Sequence, residues 1–350
     1  MILVFPALQR AFLTLLVAGP GLASALEIEP LGAHGLRNNP LKLPAATLTL
    51  SQYTQVWSDE FDRPIPYKHQ YYWGDEGINK ELQVYLDTVP ATHSLTGKKE
   101  PLVIVRDGQL HLRAVKLKKP YTNSHGQSFR YASSMITTEH RHAWKYGLFM
   151  ARIRMPQGID TRGLWPAFWL LPEDHDAWNR RGGYNRMPEM DVMEWLGQTP
   201  TEFYATLHTR TPRYIGGWND TPVWDGTWGR AGWDVPENQR RQTGGKWQAL
   251  GTRIDTELDL RADFHTYAID WEPDAITWYF DGTPVKIEPT PADASTDPGL
   301  ARYFIINLAV GGSWPGKPGA GVAFPTELTV DWVRIYQRKA EARPVPPKLQ

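Results

Sequence analysis

Cysteine is absent from the 350 residues, so neither a disulfide framework nor thiolate chemistry can belong to this chain. An excess of either charge is missing too: 38 lysines and arginines stand against 38 aspartates and glutamates. That balance gives no electrostatic case for nucleic acid or an anionic membrane as partner. Long apolar runs are scarce. Ala11–Leu22 holds about a dozen residues, short of the ~20 that a span needs, and Gly19, Pro20 and Gly21 break it. With Arg10 before it and Ala23-Ser24-Ala25 after it, residues 1–25 read as a signal peptide. The expectation is a protein exported to the periplasm or beyond, with no membrane span once that segment is removed. Amphipathic helices longer than two turns and internal repeats are also lacking.

Aromatic residues are plentiful: 16 Trp, 15 Tyr and 11 Phe in a chain that is 41% hydrophobic. So many indoles suit a large core, and equally a cleft whose ligand presents flat apolar faces, as sugar rings do. Residues 26–53 are rich in Pro, Leu and Ala and read as a lead-in. From 54 to 337 the pattern becomes short alternating runs between turn residues, such as 109–113, 147–155, 203–208, 276–280 and 328–336. Runs of that length and composition predict an all-β sandwich or barrel. Residues 338–350 are polar and proline-rich and read as a frayed tail. Two stretches break the rhythm, Asp174–Pro188 and the Trp-rich Arg210–Gly251. Long loops of this kind are either lids over a cleft or packed excursions across a sheet.

The chemistry concentrates in Pro188-Glu189-Met190-Asp191-Val192-Met193-Glu194-Trp195. In a strand, Glu189 and Asp191 share one face while Met190 and Val192 take the other. Strict alternation would send Glu194 into the core, where an unpaired carboxylate is costly. A one-residue bulge at Val192-Met193 buries both and returns Glu194 to the acidic face. Four effective steps of about 3.3 Å then separate the two glutamate backbones by roughly 13 Å. Inward-leaning side chains close this to the ~5 Å expected of a retaining glycosidase. On spacing alone, a metal site and a plain solvated acidic face remain open beside glycosidase chemistry.

The segment Glu189-x-Asp191-x-x-Glu194 after Pro188 resembles the signature of glycoside hydrolase family 16 in its bulged, laminarinase-like form. Further blocks resemble the family in order, among them Val56–Asp62, Asn79–Tyr85, Tyr146–Phe149, Gly163–Pro172, Trp278–Gly282, Asn307–Pro315 and Val330–Tyr336. The resemblance implies a β-jelly-roll sandwich with a concave substrate cleft, spanning residues 54–337. It implies Glu189 as nucleophile, Asp191 as its assisting carboxylate and Glu194 as acid/base. Trp165, on one face with Ala167 and Trp169, would stack on the sugar. His208 would stand near Glu194 and either bond the leaving sugar or tune Glu194, and Asn79, Arg152 and Asn307 would line the cleft. No cofactor is required for catalysis, but a structural calcium is implied at Glu60, Asp331 and the carbonyl of Gly108. The partner implied is a polysaccharide, a glucan or exopolysaccharide cut internally at β-1,3 or β-1,4 linkages; a monomer is expected. A transglycosylase on the same residues, or a non-catalytic glycan binder, is the alternative.

Overall fold

The computed structural model describes residues 47–63, 78–173, 189–209, 214–215, 241–242, 248–290 and 301–340. The signal-peptide reading, most of the lead-in, the stretch Asp174–Pro188 and most of Arg210–Gly251 lie outside these residues. What is described is all β, with only two short 3-10 turns besides strands.

Two sheets carry the molecule. A six-stranded antiparallel sheet runs Gln248–Asp255, Glu202–Thr209, Glu189–Trp195, Leu164–Pro172, Arg302–Val310, Met135–Thr137. A ten-stranded sheet has the main path Thr283–Pro289, Ala275–Phe280, His265–Trp271, Gly147–Arg154, Thr326–Arg338, Gln109–Thr122, Ser128–Ser133, Gln83–Tyr85. Tyr53–Asp59 joins it beside Thr326–Arg338, and Val103–Arg106 beside Gln109–Thr122. The last long strand runs one residue past the expected tail boundary. Arg338 is paired with Tyr53 in register and ion-paired to Asp270 at 2.8 Å, which fixes both ends of the domain to one sheet.

Alternation supplies the core. Met190, Phe203, Ala205, Leu207, Phe304, Ile306 and Leu308 from one sheet meet Phe149, Ala151, Ile153, Ile269, Val333 and Ile335 from the other. Trp195, Trp271 and Trp278 are wholly buried. Each contributes at least the ~1.5–3 kcal/mol of a large buried apolar side chain. The aromatic excess therefore divides: part fills the sandwich, and Trp165 and Trp169 stay half-buried on the outer face of the six-stranded sheet.

The expected bulge is present. Val192 and Met193 both lie in the core, and the ladder to Glu202–Thr209 shifts register between Asp191 and Glu194. The neighbouring strand acts as a ruler, since His208 stands opposite Glu189 and Tyr204 opposite Glu194, four residues apart. Just past the strand's end at Trp195 comes Gly197, where a Cβ would collide with the carbonyl oxygen of Thr161. No other residue lets the two backbones pass this closely.

Candidate active site

The bulge puts Glu189, Asp191 and Glu194 on the face turned away from the core. Beside them stand Trp165, Ala167 and Trp169 on one neighbouring strand and Tyr204, Thr206 and His208 on the other. Asp191 is buried at 3% exposure, while the two glutamates remain partly open. Trp165 Nε1 donates to Glu194 Oε1 at 3.2 Å, and the Thr206 hydroxyl lies 3.4 Å from Glu194 Oε2. Trp314 meets Trp165 edge-on at 5.5 Å and Tyr204 at 4.8 Å, so an aromatic corner surrounds Glu194.

Electrostatics follows from crowding three acids under one another. Burial and then the charge of Asp191 push Glu189 up to about 8, against the opposing charges of His208 and Arg302. Burial pushes Asp191 up to about 7, with a hydrogen bond from Glu189 and the charge of Lys286 pulling the other way. Glu194 is held well above the usual carboxylate range, by burial first and then by Asp191; His208, Glu189 and the Trp165 N–H modify it further. Crowding raises all three together, so the trio gives up its protons at higher pH than isolated carboxylates do.

Other expected binding residues are held by internal hydrogen bonds. Trp169 Nε1 donates to Asn307 Oδ1 at 2.9 Å, and Asn307 Nδ2 donates to the Tyr85 hydroxyl at 2.9 Å. Asn307 is thus held by side chains. Asn79 is exposed, with its carbonyl accepting from Ser313 N at 2.6 Å and Ser313 Oγ at 2.7 Å.

Two expectations need correction. His208 pairs across the ladder with Glu189 rather than Glu194, although its charge still acts on Glu194. It is opposite Glu189, with Nε2 3.6 Å from Glu189 Oε1 and 3.2 Å from Asp191 Oδ2. Antiparallel pairing runs the neighbouring strand backwards, so the residue furthest along it meets the start of the acidic strand. Arg152 does not reach the cleft. It belongs to Gly147–Arg154 of the ten-stranded sheet, opposite in parity to the core residues Ala151 and Ile153. Its guanidinium bonds Asp331 Oδ2 at 2.6 Å and lies 4.9 Å from the Phe264 ring.

The same contacts bear on calcium. Asp331 has Arg152 against it, and both oxygens of Glu60 accept from Arg334 at 3.0 and 2.8 Å. Gly108 occupies a turn with φ +69°. A doubly charged cation set among these groups would meet two guanidiniums, so the residues do not fit the calcium site expected of them. Among the described residues, Glu189, Asp191 and His208 bring ligand-type atoms within 4.8 Å of one another, which keeps the metal alternative chemically meaningful.

Sequence reasoning passed over Glu81. Its Oε2 accepts from Gln83 Nε2 at 2.6 Å, while Gln83 Oε1 accepts from Val310 N at 2.7 Å. Burial raises Glu81 to about 7 despite hydrogen bonds from Gln83 and Asn79. The signal available was the odd-even spacing of Glu81, Gln83 and Tyr85, which places three polar side chains in one row beside Asn307.

Comparison with known proteins fits this geometry. The sequence model of "Glycosyl hydrolases family 16" matches residues 91–225 and 237–334. A "Beta-glucanase" of Rhodothermus marinus is 32% identical over 300 residues, covering 81% of this chain and 84% of the relative. An "Endo-1,3-1,4-beta-glycanase EglC" of Rhizobium meliloti is 30% identical over 84% of this chain; the match spans about half (54%) of that longer protein. Among solved structures, the laminarinase catalytic domain of Thermotoga maritima superimposes with a TM-score of 0.57. It is 26% identical, covering 82% of this chain and 99% of that one.

Proposed function

The chain belongs to glycosyl hydrolases family 16 and is a glycoside hydrolase with the family's jelly-roll sandwich; from that premise we propose an exported, endo-acting β-glucanase that retains anomeric configuration. The names of its relatives point to β-1,3 and mixed β-1,3/β-1,4 glucans as the substrate class. The observation that carries the reading is the bulge. It returns Glu194 to the face of Glu189 at four ladder steps, with an indole N–H on one of its oxygens. That is a two-carboxylate arrangement with one acid singled out.

In this reading Glu194 is the acid. Burial and the charge of Asp191 hold its proton on well above the usual carboxylate range, and Trp165 and Thr206 position it. Glu189 is the nucleophile, its ionised form favoured by His208 and Arg302. Attack of the Glu189 carboxylate on the anomeric carbon expels the glycosidic oxygen, which takes the Glu194 proton. Ionised Glu194 then removes a proton from water, which displaces Glu189 and leaves the sugar with its original configuration. Asp191, hydrogen-bonded to Glu189 and nearly sealed from solvent, shares a proton with the nucleophile until the ester forms. Trp165 offers its ring to the sugar beside the scissile bond, with Trp314 edge-on behind it. Export rests on the signal-peptide pattern of residues 1–25.

Glu189→Gln and Glu194→Gln are expected each to abolish hydrolysis of laminarin and lichenan while the thermal transition is kept. Proton NMR of the first product should show the β-anomer. Near-normal turnover in either variant, or an inverted first product, would remove the assignment.

A further inference from the structure

The bulge that gathers the catalytic acids disturbs the ladder in the middle of a dry sandwich, where a carbonyl left without a donor is costly. Two carbonyls at this place accept from side chains of the opposite sheet. Asp191 O, on the acidic strand just before the doubled residues, accepts from Trp278 Nε1 at 2.8 Å. Ala205 O, on the neighbouring strand between the partners of Asp191 and Glu194, accepts from Lys286 Nζ at 3.0 Å. Trp278 and Lys286 are cross-strand partners, and the ammonium lies 4.6 Å from the indole ring. Both are fully buried, and Glu288, also buried, stands 4.0 Å from Lys286. A lysine and a glutamate inside a β-sandwich are expensive where leucines would pack. Here the lysine occupies the position opposite the bulge.

We propose that Trp278 and Lys286 are positioning residues for the reaction. Together they form a brace across the core that fixes the bulged peptide between Asp191 and Glu194, and Lys286 sets a positive charge behind the acidic strand. The inference rests on the assignment of Glu189 and Glu194 given above. Neither brace residue faces the cleft, so both act through the backbone and the field, and substrate contacts are untouched. Asp191 is faced by Glu189 and Glu194 on its own strand, by His208 from the neighbouring strand and by Lys286 from across the core; Arg302 adds its charge at Glu189.

The test compares Trp278→Phe, Lys286→Met and the double variant Lys286→Met/Glu288→Gln, which removes both buried charges and so keeps a foldable protein if the single lysine variant does not fold. Steady-state kinetics on laminarin should show kcat reduced about tenfold or more with KM within about twofold, because the acids and not the sugar contacts are displaced. In both lysine variants the pH profile of kcat/KM should shift from that of the parent, since the charge favouring ionised Asp191 is gone. Ile335→Ala, a core truncation on the same sheet outside the brace, should lower Tm and leave kcat unchanged. A lowered Tm with kcat and pH profile unchanged in Trp278→Phe and in the double variant would overturn the brace. Activity surviving in Glu189→Gln or Glu194→Gln would instead overturn the assignment beneath it, so the two failures are distinguishable.

Discussion

Replacing Asp191 by asparagine should move the whole pH–rate bell toward acid. The side chain is nearly isosteric and Asp191 is buried, so the change is mainly one of charge. Asp191 and Glu189 bring oxygens within 4.8 Å. At an effective dielectric of ~20, two full charges at about 4.8 Å repel by roughly 3.5 kcal/mol, enough to move a titration by about 2.5 pH units. The charges of His208 and Arg302 act on Glu189 in parent and variant alike, so they leave this difference unchanged. The asparagine amide can donate to Glu189, which further favours the ionised nucleophile. The acid limb of kcat/KM, set by Glu189, should therefore fall from its raised position. The basic limb, set by Glu194, should fall with it, since Asp191 is the largest charge holding that proton on. The maximum should also be lower, because the shared proton that restrains Glu189 is lost. The assay is initial-rate hydrolysis of laminarin from about pH 3 to 10 at constant ionic strength, which resolves both limbs. A bell of reduced height with both limbs unmoved would refute the electrostatic account of Asp191, and limbs displaced toward alkali would refute its sign.

Stability should carry the same signature. Carboxyls whose folded pKa is raised contribute most below their unfolded values near 4, and that contribution is lost as pH rises toward about 7 to 8. Tm should decline across this window, less steeply in Asp191→Asn; a flat or rising Tm in the parent would contradict it. Arg152→Ala should leave KM for laminarin unchanged and lower Tm slightly through loss of its contacts with Asp331 and Phe264. A several-fold rise in KM would place Arg152 back at the substrate.

The acidic strand was legible because its pattern contains its own contradiction. Two apolar residues in succession between carboxylates can only be reconciled by doubling one position, and the structure does so at Val192 and Met193. The run from Glu202 to His208 was equally clear, since strict alternation fixes which side chains share a face. Alternation does not say which sheet a strand joins, and that is why Arg152 was misplaced. Its strand has the right parity for a polar face, but that face belongs to the ten-stranded sheet. Nor does local pattern give the running order of a partner strand, which set His208 beside Glu189. Lys286 and Glu288 were hidden for a different reason. A lysine and a glutamate two apart in a strand read as a solvated face, and only the position of the bulge across the core shows why that face turns inward.

A single-residue deletion inside a buried strand ordinarily turns every later side chain over and destroys the domain. The acidic strand is exempt at one place. Because Val192 and Met193 already share one rung, losing either would restore plain alternation and still leave Glu189, Asp191 and Glu194 pointing outward. The strand can therefore exist at two lengths in an evolving lineage with the same acids displayed. What an indel here would idle is the pair of donors across the core, whose acceptors would return to the ladder.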